Sequence, residues 1–184
     1  MESYQEIRVL PDPEFGSDLL MAALFAKLHR ALGQHAAGKI GISFPHYGQK
    51  PGDIIRLHGT AAMLTVFGKT LWMKGLNDHV AISEIRDVPA DAQHCCFSRV
   101  QVKSSAERLR CRSVKRGRLS EEEALERIPD SKSQITSLPF IHVKSLSTGE
   151  AFRLFIRRGA LLTEPVEGVF GAYGLSAVAT VPWF

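Results

Sequence analysis

The sequence predicts an α+β protein whose first half is ferredoxin-like and whose second half contains a basic helix and a β-hairpin. Three observations predict this class. Strand and helix patterns follow each other in the order βαββαβ over residues 1–92. Positive charge is concentrated over residues 99–118, and two strand patterns then flank a short turn. We expect two domains, 1–92 and 93–184, because 184 residues that are 45% apolar can bury a core in one domain or two small ones.

The first half rests on four strand patterns and two helix patterns. The strand patterns cover residues 4–10, 40–44, 54–58 and 80–88. An apolar stripe at helical spacing follows Ser17, the predicted N-cap, and Gly33 is expected to stop this helix. A second, short helix covers residues 61–67. The RRM RNA-binding module has the same architecture, but its aromatic signature is absent here, so the fold alone predicts no function.

The basic stretch begins as a strand and continues as a helix. Polar and apolar residues alternate up to Lys103 within the strand expected over residues 95–103. Ser104 and Glu107 form a capping-box pattern, and Gly117 stands where a helix C′ residue is expected. Four basic residues at spacings i, i+4, i+7 and i+8 share one face of this helix: Arg108, Arg112, Lys115 and Arg116.

The charge of this stretch indicates a polyanionic partner. It contains eight of the 23 basic residues and one of the 19 acidic residues, so its local charge is +7 although the whole chain carries +4. A solvated basic face is the alternative, but such a face usually interleaves both signs for i, i+4 pairing, and this one does not. The charge therefore favours contact with a nucleic-acid backbone.

The rest of the second half is predicted to be supporting structure. A capping box at Ser120 and Glu123 opens an acidic helix. Strands over residues 140–146 and 151–157 are joined by a turn. The aromatic C-terminus is expected to tuck into the core.

Several classes of protein and site are disfavoured. No apolar run could span a membrane and no signal-peptide pattern follows Met1, so we expect a cytoplasmic protein without membrane contact. Three cysteines, two of them adjacent at Cys95 and Cys96, form neither a disulfide framework nor a CxxC zinc pair, so we expect no metal and no other cofactor. Walker, HExxH and GxSxG motifs are absent, as is the carboxylate cluster that a metal nuclease requires.

Three side chains could carry chemistry. His29 lies about 100° around the first helix from Leu28, at the edge of the apolar stripe, so it could titrate near neutrality and face a cleft, or be an ordinary surface histidine. Ser145 points to the same side as the apolar residues of its strand and could contact a ligand or satisfy the hairpin backbone. Phe152 could belong to the core or stack on a base.

One reaction needs neither a metal nor a nucleophile from the protein. RNA carries its own nucleophile, the 2′-OH. A protein that cleaves RNA in this way must hold that oxygen in line with the phosphorus and supply a base such as histidine.

Ten stretches spread over the chain form a recognisable set: IRVLPDPEF, LMAALFAKLHRAL, IGISFP, SRVQ, SAERLR, LSEEEALERIPD, LPF, STGEAFRLFIRRG, YGLS and VPWF. With them the chain resembles the CRISPR-associated repeat endoribonuclease of the subtype I-F (Csy) system, which processes precursor CRISPR RNA. The resemblance implies that the basic helix lies in the major groove of the repeat hairpin. It implies metal-independent cleavage at the 3′ base of the stem, a 2′,3′-cyclic phosphate and retention of the product.

The resemblance also implies partners. They are the repeat hairpin, in the precursor and in the mature crRNA, and the other subunits of the subtype I-F surveillance complex. The free protein is expected to be a monomer. A non-catalytic RNA-hairpin-binding subunit of a ribonucleoprotein complex is the main alternative that this sequence leaves open, and a basic ribosome-associated or DNA-binding protein is a more remote one.

Three residues match catalytic positions of the family. His29 matches the catalytic histidine, the general base. Ser145 matches the serine that holds the nucleotide with the attacking 2′-OH. Tyr173 matches a tyrosine near the scissile site whose role is orientation at most.

The remaining matches concern RNA binding. Arg99 and Gln101 match the pair that reads base edges low in the stem, and Phe152 matches the aromatic residue that stacks on the terminal base pair. The residues that share the groove-facing side of the basic helix are Arg108, Arg112, Lys115 and Arg116. Lys115 stands where the family has an arginine, and lysine lacks the planar donor fork, so the contacts of this helix stay open.

Overall fold

The computed structural model describes residues 1–36, 38–102, 106–129, 136–144 and 149–184, and only the backbone of Arg108. These residues form four α-helices and ten antiparallel β-strands, which confirms the α+β class. Contacts divide the chain into unit 1, Met1–Val100 with Leu138–Phe184, and unit 2, Gln101–Ser137. The division into residues 1–92 and 93–184 stays a prediction.

A five-stranded antiparallel sheet and two helices make up the first part of unit 1. Its elements are β1 (Ser3–Val9), α1 (Ser17–His35), β2 (Gly41–Ser43), β3 (Ile54–Gly59), α2 (Ala61–Gly68), β4 (Val80–Ile82) and β5 (Arg86–Asp87). The strand order is β2-β3-β1-β4, and β5 also pairs with β1. The single strand expected over residues 80–88 is wrong. It is split because Ser83 donates its N–H to the Glu6 carbonyl and accepts the Glu6 N–H on its side chain, both at 2.9 Å.

Helix α1 has the buried stripe that its sequence predicts. The buried residues are Leu20, Met21, Leu24, Phe25, Leu28, Ala31 and Leu32. Both predicted ends are wrong. Gly16 occupies the N-cap position before Ser17, and the helix passes Gly33 because the Ala36 N–H still donates to the Leu32 carbonyl at 3.0 Å.

A three-stranded sheet and a strand pair complete unit 1. The strands are β6 (Gln93–Cys95), β7 (Phe97–Val100), β8 (Phe140–Lys144), β9 (Ala151–Arg158) and β10 (Val181–Trp183). The sheet order is β7-β9-β8, and β6 pairs with β10. The single strand expected over residues 95–103 is wrong, because its two parts pair with different partners on either side of Cys96. The tail packs into the core only in part: Val181 and Pro182 are buried and Trp183 packs against the core, whereas the terminal Phe184 is exposed.

One hydrophobic cluster connects α1 with both sheets. Phe97 of β7 is 2% exposed, and its ring lies 5.7 Å from those of Phe44, Tyr47 and Trp183, measured between centroids. This shared core fixes α1 relative to the three-stranded sheet, which positions the site described below.

Unit 2 contains two helices, α3 (Ala106–Lys115) and α4 (Glu121–Arg127). Gly117 has a φ of +63°, as a C′ glycine requires, which confirms the predicted end of the basic helix. The capping box of α4 is also confirmed: the Ser120 side chain accepts the Glu123 N–H at 3.1 Å, and the Glu123 carboxylate accepts the Ser120 N–H at 2.9 Å. Ser104, the other predicted cap, lies outside the described residues. No described helix is both long and apolar enough to cross a bilayer.

Candidate functional site

His29 lies at the edge of the buried stripe of α1, where its angular position predicted it. Leu28, one residue earlier, is fully buried, whereas His29 is partly exposed. Successive side chains on a helix point about 100° apart, so the imidazole leaves the core just where the stripe ends. The side chain is anchored beside the core and still accessible from outside.

A loop over residues 171–175, which we call the glycine loop, brings partners to His29. Gly174 has a φ of +69°, which residues with a side chain rarely adopt. Its N–H donates to the Gly171 carbonyl at 2.8 Å, and its carbonyl accepts the Ile42 N–H at 2.9 Å. A Cβ on Gly174 would lie 2.7 Å from Cγ2 of Ile42. The loop therefore lies this close to β2 only with glycine at this position.

Tyr173 of the glycine loop stacks on two rings of α1. Its ring centroid is 4.1 Å from that of His29, with 15° between the planes, and 6.0 Å from that of Phe25, with 8° between the planes. Phe25 is fully buried. Because Phe25 is fixed in the core, the Tyr173 ring stacked on it is held in place. Tyr173 in turn restricts the orientation of the His29 imidazole.

The backbone of the same loop sets the tautomer of His29. Nδ1 of His29 lies 3.2 Å from the carbonyl oxygen of Ala172. A carbonyl oxygen can only accept, so Nδ1 carries the proton and donates it. In the neutral ring, Nε2 then holds the lone pair. The arrangement presents a base at Nε2.

Two side chains from the three-stranded sheet join this group. Arg99 extends from β7, and its guanidinium carbon lies 5.4 Å from the ring centroid of Phe152 on β9 and 5.4 Å from that of Tyr173. Arg99 is exposed, and Phe152 is partly buried against the core. We call His29, Tyr173, Arg99 and Phe152 the histidine cluster. It combines a base, a cation with planar donors and an aromatic surface.

The other predicted site residues fall into two groups. Gln101 and three residues of α3 or its end are exposed in unit 2: Arg112, Lys115 and Arg116. We call these three the basic face of α3; the side chain of Arg108 is not described. Ser145 lies outside the described residues.

A buried serine–histidine pair in unit 1 cannot meet a substrate. The Ser43 hydroxyl and Nε2 of His58 are 2.8 Å apart, and both residues are fully buried. Burial, followed by the nearby Arg56 charge, lowers the pKa of His58 well below the ordinary value. Burial also raises the pKa of the Cys95 thiol to about 12, so that group stays protonated. Among the described residues, no three His, Cys, Asp or Glu side chains come together in a way that could hold a metal ion.

Sequence reasoning did not identify Ala172 and Phe25 as parts of the site. A backbone carbonyl carries no signal in residue type, and Phe25 looked like any other stripe residue. The spacing of Gly171 and Gly174 could have indicated a tight loop. It could not have indicated that the loop meets α1, more than 140 residues earlier in the chain.

Comparison with known proteins gives a consistent result. The family model of the CRISPR-associated protein Cas_Csy4 matches residues 4–184. A protein of Escherichia coli (strain UTI89 / UPEC) named CRISPR-associated endonuclease Cas6/Csy4 is 54% identical over the full length of both chains. A protein of Pseudomonas aeruginosa (strain UCBPP-PA14) with the same name is 45% identical, again over all of both chains. These matches confirm the resemblance seen in the sequence, and the chain belongs to the Cas_Csy4 family of CRISPR-associated proteins.

Proposed function

We propose that this protein is a metal-independent endoribonuclease that cleaves precursor CRISPR RNA at the 3′ base of the repeat hairpin. The relatives named as CRISPR-associated endonucleases support the reaction class. The observation that carries the proposal is the state of His29. Its Nδ1 is committed to the Ala172 carbonyl, which leaves Nε2 to accept a proton. Tyr173 stacks on the imidazole, and the guanidinium of Arg99 lies 5.4 Å from the Tyr173 ring centroid.

The reaction uses the nucleophile of the substrate. Nε2 of His29 takes the proton of the 2′-OH at the cleavage site, and the 2′ oxygen forms a bond to the neighbouring phosphorus. The bond from phosphorus to the 5′ oxygen breaks, and that oxygen takes a proton from water. The products are a 2′,3′-cyclic phosphate upstream and a 5′-hydroxyl downstream. General-base help of this kind typically contributes about 10²- to 10⁴-fold.

Two further residues position the reactants. Ser145 holds the nucleotide that carries the attacking 2′-OH. Tyr173 keeps the imidazole plane in place, and its parallel stacking on His29 and Phe25 supports this role. Alignment of the attacking oxygen supplies much of the remaining rate enhancement.

The RNA contacts are divided by type. Arg99 and Gln101 read base edges low in the stem, and the exposure of both supports this. Phe152 stacks on the terminal base pair. The guanidinium of Arg99 lies 5.4 Å from the Phe152 ring centroid, so it would be next to a base stacked on this ring, which supports the assignment. The helix α3 binds phosphates in the groove through Arg108, Arg112, Lys115 and Arg116.

We infer that residues 1–92 form a ferredoxin-like (RRM-like) domain, because the chain order is βαββαβ and the sheet order is β2-β3-β1-β4. Residues 93–184 supply most of the RNA contacts. The protein is cytoplasmic and is a monomer when free; it keeps its product crRNA and enters the subtype I-F surveillance complex with it.

The test is cleavage of an RNA that contains the repeat hairpin, in excess EDTA and under single-turnover conditions. His29→Ala should lower the rate by about 10²- to 10⁴-fold and leave hairpin affinity intact. His35→Ala is the matched control, because His35 is an exposed histidine at the end of the same helix.

A 2′-deoxy nucleotide at the cleavage site should abolish the reaction. If the native chain binds the hairpin tightly and cleaves it neither with nor without EDTA, the protein is a hairpin-binding subunit. Cleavage that EDTA abolishes would overturn metal independence.

A further inference from the structure

The three-stranded sheet of unit 1 has a second face, which the proposed reaction does not use. Leu154 and Ile156 of β9 point into the core and are fully buried. The alternate residues of β9 and β8 point the other way. We call this side the outer sheet face and define it by Phe140, His142, Lys144, Arg153, Phe155 and Arg157.

The outer sheet face interleaves cations with aromatic rings. Phe140 and Phe155 are direct cross-strand partners, and their ring centroids are 5.5 Å apart at 65°. The guanidinium of Arg153 lies 4.8 Å from the Phe140 centroid, and the His142 ring meets Phe140 edge-on at 5.1 Å. Phe140 and Phe155 are both half-buried, so part of each ring is open to a ligand. On the opposite side of the sheet, Phe152 packs against the hydrophobic core.

The charged side chains of the outer sheet face are all cationic. Strands β7, β8 and β9 contain no Asp or Glu. Lys144, Arg153 and Arg157 are all exposed. At the edge of β8, the pocket that Phe140 and His142 line also contains Asp18, but that carboxylate is paired with Lys50 at 2.6 Å. Three cations are thus available to an anionic partner.

The spacing suits a single nucleic-acid strand. Residues four apart on a strand are about 13 Å apart, with the intervening alternate residue halfway between them. Arg153, Phe155 and Arg157 therefore form a cation–ring–cation row along β9. Single-stranded nucleic acid is bound by such combinations, with phosphates on the cations and bases stacked on the rings, largely independent of sequence.

We propose that the outer sheet face is a second RNA-binding surface, which holds a single-stranded segment of the RNA outside the hairpin. The charge complementarity and the partly exposed rings carry the binding of a single strand. That the strand is RNA rests on the proposed function. The contact would hold the unpaired part of a precursor or product while the histidine cluster acts on the hairpin.

The test uses the full chain and two probes, a fluorescent 12-nucleotide oligouridine and the minimal repeat hairpin without flanks. Arg153→Ala/Arg157→Ala should weaken oligouridine binding about tenfold or more and lower its log–log salt slope by about 1.4. Phe155→Leu, which keeps the apolar volume, should weaken it several-fold through lost stacking. Binding and cleavage of the minimal hairpin should be unchanged.

Lys69→Ala/Lys74→Ala removes the same charge from exposed positions outside the face and should leave oligouridine binding within about twofold. Circular dichroism melting should confirm that each variant is folded. Undetectable oligouridine binding by the native chain overturns the proposal, as does equal loss in the face variant and the lysine control. Oligothymidine should depend on the face to a similar extent, because phosphate and stacking contacts do not read the 2′-OH, and dependence for neither strand overturns the proposal. Face-dependent oligouridine binding without hairpin cleavage would support the face and refute the proposed reaction.

Discussion

His29 and the basic face of α3 differ in how firmly the surrounding packing holds them. His29 sits on a helix of 19 residues with seven buried side chains, and two rings and a carbonyl then fix its orientation. Helix α3 has 10 residues, and among its described side chains only Ala106 is fully buried.

This difference follows from what each group is proposed to do. A general base must meet one proton in one direction, so misplacement is costly. A cation facing a phosphate acts through a long-range charge, and a flexible side chain can still find its partner. The chain therefore places its rigid packing around the base and leaves its charges exposed.

Among the changes that test this difference, Gly174→Ala in the rigid surroundings of His29 should have the largest effect. Gly174→Ala places a Cβ against Ile42 and forces alanine to a φ of +69°. We expect about 1–3 kcal/mol less stability and a cleavage rate about 100-fold lower, because the glycine loop no longer holds Tyr173 and the Ala172 carbonyl against His29. Single-turnover kinetics and thermal unfolding measure both.

Gly75→Ala is the matched control for Gly174→Ala. Gly75 also has a positive φ, +80°, but no atom lies within 4 Å of an added Cβ. This variant should lose stability through strain alone and retain its rate. An equal rate loss in both variants would show that the glycine loop does not position the base.

The next effect tests the exposed side of the comparison. Replacing Arg112, Lys115 and Arg116 by alanine should lower the slope of log affinity for the hairpin against log salt by about 2–3. The unfolding midpoint should hardly change, because all three residues are exposed.

The control is a triple alanine variant of Lys39, Lys69 and Lys74, which are exposed residues of unit 1. It has the same net charge. If its salt slope falls as far, the affinity reflects total charge and not the basic face of α3.

A third prediction separates the two units by pH. Burial lowers the pKa of His58 in the folded chain. At pH values between the lowered and the ordinary pKa, the unfolded chain therefore binds one proton more than the folded chain. The stability of unit 1 should therefore fall by about 1.4 kcal/mol per pH unit as the pH drops below about 6.5.

Unit 2 should respond only at lower pH. The pKa of Glu123 lies below its ordinary value because of its hydrogen bond to the Ser120 backbone, so this stabilisation is lost only as pH falls through that lowered value. Denaturant titrations at several pH values, with His58→Gln as the variant that should flatten the dependence, test the expectation. A pH-independent unit 1 in the native chain would contradict it.

The smallest effect should be local to α4. Ser120→Ala removes the side chain that accepts the Glu123 N–H and should cost about 1 kcal/mol of helix stability. Hydrogen exchange should become faster at the amides of α4 and stay unchanged in the core strands. Glu122→Gln, next to the cap but outside it, should have little effect, and unaltered exchange in the Ser120 variant would argue against the capping box.

Local patterns predicted the elements, and pairing decided where they end. The stripe of α1 and the capping box of α4 depend on neighbours a few residues apart, and both are present as predicted. The strands of residues 80–88 and 95–103 read as continuous, but each is divided because its halves pair with different segments or positions. β10 contains Pro182, which argues against a strand, and it forms only because β6 lies beside it.

The site follows the same rule. The edge position of His29 could be predicted from helix geometry, since it needs only the angle from Leu28. Its contacts with Tyr173 and the Ala172 carbonyl could not, because they join segments more than 140 residues apart. The interleaved charges and rings of the outer sheet face depend on the register of β8 with β9.

The attachment of unit 2 has a practical consequence for protein engineering. The segment leaves unit 1 after Val100 and returns before Phe140, and both residues are cross-strand partners of Phe155 on β9. The two attachment points are therefore about 10 Å apart, two strand spacings across one sheet. An inserted segment with ends this close can be replaced by another without changing the order or the pairing of the strands in this sheet. Libraries of helical segments grafted between these two strands would measure how much unit 2 contributes to RNA affinity while the strands of unit 1 stay unchanged.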